Sequence, residues 1–471
     1  MDTSKNRDYT LLLLPLVLIG VVIIKFPHLF LPHYWDEAWS YSPAVQYMYE
    51  HRLSLIPGAL PPTLSRGHPL LFYFLSAGWM RIFGPSLFAK HCFAMTVSLI
   101  YLVSIYYIVR KLFSARAGIM ATIFTSCQAL FLAQASMLLP EIMLSLFSLW
   151  TLFSYLENRK FLFLVSSSML IMTKETGIFL LILLIAWHLF SFLLSRKKRT
   201  VIKEQLTWFV LLTVPFMVFA FFLIIQQQHF GWYLFPEHVS LITTIRKGLK
   251  EFGSQEYFLQ FYGQIFLVIT LVVSFIIQIF SPGKIPERQK QAIGLIFAYI
   301  LFYLFATTFL MFSPRYLICI HVMLVILTAF YLDFVTSKRV LIPLAVTAVL
   351  AFILLFTALT LKSNGDNNLG YADALQLQKK AVEYFEKNGL YDHTICCGFL
   401  MRENMTVRAA GFLEGRPFTK LTGSPDSNPE YLVLTSTEPE PDYYRFRYDI
   451  SYTLVQRYFY NYMWMEIYKR K

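Results

Sequence analysis

Charge is scarce in this chain. Only 15% of its 471 residues are Asp, Glu, Lys or Arg, where a soluble globular protein carries about a quarter. The hydrophobic share is 56% and the mean hydropathy is +0.53. Together these exclude a soluble enzyme, a disordered chain and a fibrous one. Cysteine is scarce too, and five residues are too few for a disulfide framework. Cys92, Cys127 and Cys319 lie in apolar runs and read as packing residues, while the adjacent Cys396 and Cys397 are not expected to bridge each other. The redox compartment therefore stays open. Tandem repeats of solenoid period are absent.

What the chain does have is a basic excess of +13 and 17% aromatic residues. The excess is unevenly placed. Residues 362–471 carry 14 basic and 14 acidic side chains, so the first 361 residues hold all of it, with 27 against 14. A charge excess confined to the apolar part argues against a nucleic-acid partner. The aromatics suit a lipid-facing surface with interfacial anchors.

A helix needs about 20 apolar residues to cross a bilayer. The first run, Thr10 to about Ile24, follows Lys5 and Arg7 and reads as a retained anchor rather than a signal peptide. Further spans are expected near 89–109, 117–137, 142–156, 161–173, 178–195, 206–226, 257–280, 292–312, 317–335 and 340–361, about 11 in all. Leu70–Met80 is apolar but short, and reads as an interfacial helix. With it on the surface, the clusters Arg110/Lys111/Arg116, Arg159/Lys160, Arg196–Arg199, Lys284/Arg288/Lys290 and Lys338/Arg339 share the side of the N-terminus. The positive-inside rule makes that side cytoplasmic. Residues 1–361 thus form a transmembrane domain, and 362–471 an extracytoplasmic α/β domain. In the latter, Asp373–Lys387 has helical periodicity, and Thr394–Leu400, Tyr431–Ser436, Tyr452–Tyr458 and Met463–Tyr468 are strand-like. Thr422–Glu430 reads as a loop.

This topology sorts the unusual polar residues. Asp36-Glu37, His68, Glu141, Lys174-Glu175, Glu237-His238 and Arg315-Tyr316 all fall on the outer side. Ionisable groups at the ends of apolar helices are costly and point to function. The carboxylates offer a general base or a metal site. Lys174 and Arg315 offer an anion site suited to phosphate. Each residue also has a plain structural reading. Asp36-Glu37 can be a solvated loop start, Lys174-Glu175 a local ion pair, Arg315 a snorkelling side chain, Glu141 a helix-start carboxylate, and the two histidines ordinary loop residues. Their shared side is what favours function.

In this order the motifs resemble those of the polytopic glycosyltransferases of the GT-C fold. The nearest group is the protein O-mannosyltransferase and lipid A aminoarabinose transferase superfamily (glycosyltransferase family 39/83 type). Asp36-Glu37 resembles the pair that opens the first outer loop, and His68-Pro69-Leu70-Leu71-Phe72-Tyr73 the aromatic Pro-Pro-Leu-type element that follows. Phe83-Gly84, Glu141, Thr173–Gly177, Glu237-His238 and Arg315-Tyr316 continue the series, over about residues 10–335. The resemblance implies a GT-C fold with juxtamembrane helices in the first outer loop.

The resemblance also implies a function: inverting transfer of a sugar from a polyprenyl-phosphate donor, on the extracytoplasmic face, to a lipid, glycan or protein acceptor. It implies Asp36, Glu37 and Glu141 as catalytic carboxylates, and Lys174, Arg315, His68 and Tyr316 around the donor phosphate. A divalent metal (Mg, Mn or Zn) is implied near His238 and Glu237. The sequence departs where Gly67-His68 replaces a Glu-Lys pair whose Glu helps bind metal, and where Leu70 replaces the second Pro. The membrane expected is a bacterial inner (cytoplasmic) membrane. A transporter or flippase of a lipid-linked sugar is the alternative. It predicts ionisable groups at the bilayer midplane in repeated halves, whereas here they cluster at one face. A scaffold displaying its tail is a third reading.

Overall fold

The computed structural model describes residues 10–194, 199–240, 263–281, 283–309, 313–336, 341–438 and 451–471. Seven of its helical stretches are long and apolar enough to cross a membrane: Thr10–Phe30, Leu87–Leu112, Glu175–Leu193, Lys203–Phe230, Glu287–Thr307, Pro314–Val335 and Leu341–Thr360. Four more apolar helices are shorter: Leu71–Phe83, Glu141–Leu156, Lys160–Thr173 and Gln264–Ile279. The expected positions at Lys5, Arg7, Arg196–Lys198, Lys338 and Arg339 lie outside the described residues, as do the first residues of the 257–280 run and 310–312.

Burial separates a central helix from peripheral ones. The Pro314–Val335 window is 78% buried, whereas that of Thr10–Phe30 is 17% buried. Ile318–Val335 is apolar on every side, the mark of a helix surrounded by others. It packs against Ala115–Ser126, Glu141–Leu156, Gln264–Ile279 and Glu287–Thr307. Leu71–Phe83 buries Leu71, Phe72, Tyr73, Ser76, Ala77 and Met80 along one stripe and ends at Gly84, whose φ of 86° favours glycine. At 13 residues it is too short to cross a bilayer, in keeping with an interfacial position.

One expected span is broken. The 117–137 run divides into Ala115–Ser126 and Ala129–Gln134, because Gln128 adopts an extended backbone between them. The short second helix is fully buried and leads to Pro140, which starts the next helix at Glu141. Proline is tolerated at a helix start and sets φ there. The break is what brings Glu141 to one end of the bundle.

The C-terminal part holds a five-stranded sheet in the order β2-β1-β3-β5-β4. The strands are β1 (Ile395–Cys396), β2 (Leu421–Thr422), β3 (Tyr431–Thr435), β4 (Tyr452–Tyr460) and β5 (Met463–Arg470). β1 runs parallel to β2 and β3, and β5 pairs antiparallel with β3 and β4. The helix Gly370–Lys387 covers β4 and β5. The strand expected at 394–400 shrinks to two residues, and Phe399–Thr406 is a helix instead. Glu438 takes the free N–H groups of Leu400 and Met401 at 2.6 and 3.3 Å. This remote carboxylate caps the helix start, which local sequence could not reveal. β2 falls at the edge of the expected loop.

The sheet domain docks on the segment after the first span. His33 N donates to Ala410 O at 2.9 Å and Ser42 Oγ to Ala409 O at 2.8 Å. Tyr34 OH donates to Asn364 Oδ1 at 2.7 Å, and the Trp39 and Phe399 rings meet edge to face.

Candidate active site

Two neighbouring carboxylates at 36 and 37 are sent in opposite directions. Trp35 sits in the left-handed region at φ 48°, which is uncommon for a bulky residue, and Glu37–Tyr41 forms a π-helical turn. Such local strain and π turns concentrate at functional sites. Asp36 Oδ2 pairs with Arg315 Nη2, and its Oδ1 accepts from Trp39 Nε1 at 3.0 Å. Burial pushes the Asp36 carboxyl up, but the Arg315 charge and hydrogen bond outweigh it and hold the group below its ordinary range.

Arg315 is the hub of this site. It lies on the short turn Pro314–Leu317 that opens the central helix and is 3% exposed. Its Nε lies 3.3 Å from Glu141 Oε1, an ion-pair contact, and its Nη1 donates to Asp366 Oδ2 at 2.5 Å. Glu141 Oε1 also accepts from Lys174 Nζ at 2.9 Å. Lys174 is extended between two helices, and its ammonium sits 4.2 Å from the centroid of the Tyr316 ring. Burial opposes the Lys174 charge, yet Glu141 wins and holds the ammonium above its ordinary value. Two cations thus face three carboxylates at one end of the bundle.

The structure therefore brings Asp36, Glu141, Lys174, Arg315 and Tyr316 together. His68 stands beside them: it pairs with Glu175 at 2.9 Å, stacks on Tyr41 and meets the His238 ring at 4.9 Å. Glu175 therefore pairs with His68 and not with its neighbour Lys174. Burial, with His68 alongside, pulls His238 down to about 4.

Glu37 stands apart from that cluster. It is 1% exposed and binds His33 Nδ1 at 2.8 Å, His91 Nε2 at 3.2 Å, Leu138 N at 2.6 Å and Tyr34 N at 3.1 Å. Its carboxylate ties the first loop to the broken span and does not pair with Lys174 or Arg315. Glu237 is likewise directed elsewhere, to Arg66 Nη2 at 3.0 Å, where the guanidinium also lies over the Trp39 ring.

The expected metal donors Glu237 and His238 thus have different nearest partners, Arg66 and His68. Among the described residues one group, His33, Glu37 and His91, brings three donor atoms within 4.8 Å of one another. The spacing is one that a single ion can bridge. Glu37 Oε1 in this group also accepts the Leu138 N–H.

Sequence reasoning passed over Asp366, Gln134 and Trp39. Asp366 lies in the 362–471 part, outside the motif series of residues 10–335; the structure sets its carboxylate on Arg315, while Gln134 Nε2 holds its carbonyl at 2.6 Å. Its signal was an acidic residue in Asn364-Gly365-Asp366-Asn367-Asn368, just past the last apolar helix.

The family described as dolichyl-phosphate-mannose-protein mannosyltransferase matches residues 67–225. No curated protein sequence matches. Among solved structures, ArnT from Cupriavidus metallidurans in the apo state is similar at a TM-score of 0.57 and 11% identity, covering 96% of this chain and 97% of that one. The same ArnT bound to undecaprenyl phosphate gives 0.56 and 14%, with the same coverage. The Archaeoglobus fulgidus oligosaccharyltransferase in complex with Zn and sulfate gives 0.51 and 13%, over 90% of this chain and 67% of that one. The fold is the GT-C fold, in an integral membrane protein. The family match falls within that fold, over residues 67–225.

Proposed function

We propose that this protein transfers a sugar from a polyprenyl-phosphate carrier to an acceptor hydroxyl, with inversion, on the extracytoplasmic face of a bacterial inner membrane. The observation that carries this reading is the convergence of buried Arg315 and Lys174 opposite Asp36 at one end of the apolar helices. Similar folds in complex with lipid phosphates support it: ArnT with undecaprenyl phosphate, and the archaeal enzyme with an inhibitory peptide and a dolichol-phosphate. The acceptor is a lipid, a glycan or a protein.

The chemistry follows from the charges. Asp36 takes the proton of the acceptor hydroxyl. The acceptor oxygen bonds to the anomeric carbon as the bond from that carbon to the phosphate oxygen breaks. The bonding pair leaves with the phosphate, whose negative charge grows. Arg315 and Lys174 stabilise that growing charge in a site of low polarity, where fixed cations act most strongly. Glu141 holds both cations in place. Tyr316 lies against both and orients them.

Turnover of a polyprenyl-phosphate sugar by purified protein tests the reading. Asp36→Asn is expected to abolish transfer while leaving folding and carrier binding nearly intact. Full transfer by that variant would exclude Asp36 as the base. Vectorial carrier movement without sugar transfer would favour the transporter reading.

A further inference from the structure

Each guanidinium nitrogen of Arg315 already faces a carboxylate. Nη2 is taken by Asp36, Nε faces Glu141, and Nη1 is taken by Asp366. A phosphate that binds Arg315 therefore competes with carboxylates for its charge. The three are not equally fixed. Glu141 is shared with Lys174 and begins a buried helix. Asp36 is held from its other oxygen by Trp39. Asp366 has Arg315 as the one described partner of its side chain, and it lies on the non-helical link between Leu341–Thr360 and Gly370–Lys387.

The link itself is anchored on both sides of Asp366. Asn364 joins Tyr34 OH and Thr437 O, Asn368 bridges Ser363 and Gly370, and Gln134 holds the carbonyl of Asp366 itself. Its carboxylate can thus leave Arg315 by side-chain rotation, without unfolding the link.

We infer that Asp366 occupies the place of the donor phosphate on Arg315 and is exchanged for it, so that the C-terminal segment sets the affinity and selectivity of the donor site. This rests on the donor-phosphate reading above. Charge balance supports it. Among the described residues two cations face three carboxylates, one negative charge in excess, and an added phosphate adds to that excess unless one carboxylate withdraws. Burial raises Asp366 above its ordinary value despite the Arg315 charge, so it is a carboxylate the site holds poorly. The exchange also gives selectivity. A small anion has only its charge with which to displace Asp366, whereas a lipid phosphate adds the burial of its chain.

The test is equilibrium binding of undecaprenyl phosphate and of inorganic phosphate to the full-length protein in detergent. Asp366→Asn keeps the shape and removes the charge, and is expected to tighten undecaprenyl phosphate binding about tenfold, the worth of one charge-assisted hydrogen bond. It should also make inorganic phosphate an effective competitor, which wild type resists. Asp366→Glu should restore the wild-type behaviour. Asp366→Ser gives a second uncharged side chain should the Asn variant not fold. Unchanged or weaker binding in the uncharged variants overturns the inference. Arg315→Lys is the control for the reading beneath it: loss of undecaprenyl phosphate binding upholds that reading, and unaltered binding overturns both.

Discussion

Replacement of Lys174 and Glu141 tests the energetics of the buried charge cluster. The two side chains are 5% and 1% exposed, with Nζ 2.9 Å from Oε1. Removing one partner of a buried pair costs about 3–5 kcal/mol, because the other charge is left without compensation. The two single variants should differ. Lys174→Met leaves Glu141 with Arg315 Nε at 3.3 Å, so its cost belongs at the low end. Glu141→Gln leaves Lys174 without its carboxylate, while Arg315 keeps Asp36 and Asp366, so its cost belongs at the high end. The double variant removes a cation and an anion together, and should fall short of the summed single costs by about 1–3 kcal/mol, the range of coupling between contacting residues. The assay is equilibrium unfolding of the four proteins in one detergent. Additivity within about 0.5 kcal/mol, the behaviour of independent sites, would refute the pairing.

Three further outcomes are expected. Trp39→Phe removes the indole donor from Asp36 Oδ1 and should raise the carboxyl by about one pH unit; the acid limb of kcat/KM should move upward by that amount, and an unmoved limb contradicts Asp36 as the base. Gly411→Ala puts a Cβ 2.6 Å from Leu87 Cδ1 at a φ of +86°, so it should cost about 1–3 kcal/mol and raise hydrogen exchange at residues 408–411, where the sheet domain docks; unaltered exchange would argue against that contact. Burial holds His33 down to about 4, from an ordinary 6.5. The unfolded chain therefore takes the proton first, so this contribution is whole above the unfolded value and is lost as pH falls from about 6.5 toward 4, with a slope of up to about 1.4 kcal/mol per unit. His33→Gln should flatten the thermal unfolding profile between pH 7 and 5, and an identical slope in both proteins would refute this.

Much of the site was legible because ionisable residues at the ends of apolar runs stand out. Asp36, Glu141, Lys174 and Arg315 could be grouped from topology alone. Their pairing could not be read. Asp36 and Glu37 look like one motif, yet the left-handed Trp35 and the π turn send one to Arg315 and the other into a separate buried cluster. Lys174 and Glu175 look like an ion pair, yet the extended backbone at Lys174 parts them, since successive side chains there point to opposite sides. Asp366 was hidden by its position: it follows the last apolar helix, in a stretch whose neutral charge gave no sign of a role. The break at Gln128 was equally silent, because an apolar run does not reveal where its backbone leaves the helix.

The central claim is that Arg315 and Lys174 receive the phosphate of a lipid carrier opposite Asp36. Its most direct test is a structure of the wild-type protein with undecaprenyl phosphate bound. The account predicts phosphate oxygens within hydrogen-bond reach of Arg315 and Lys174, with the Asp36 carboxylate facing the space beside them. A phosphate bound away from both cations would contradict it.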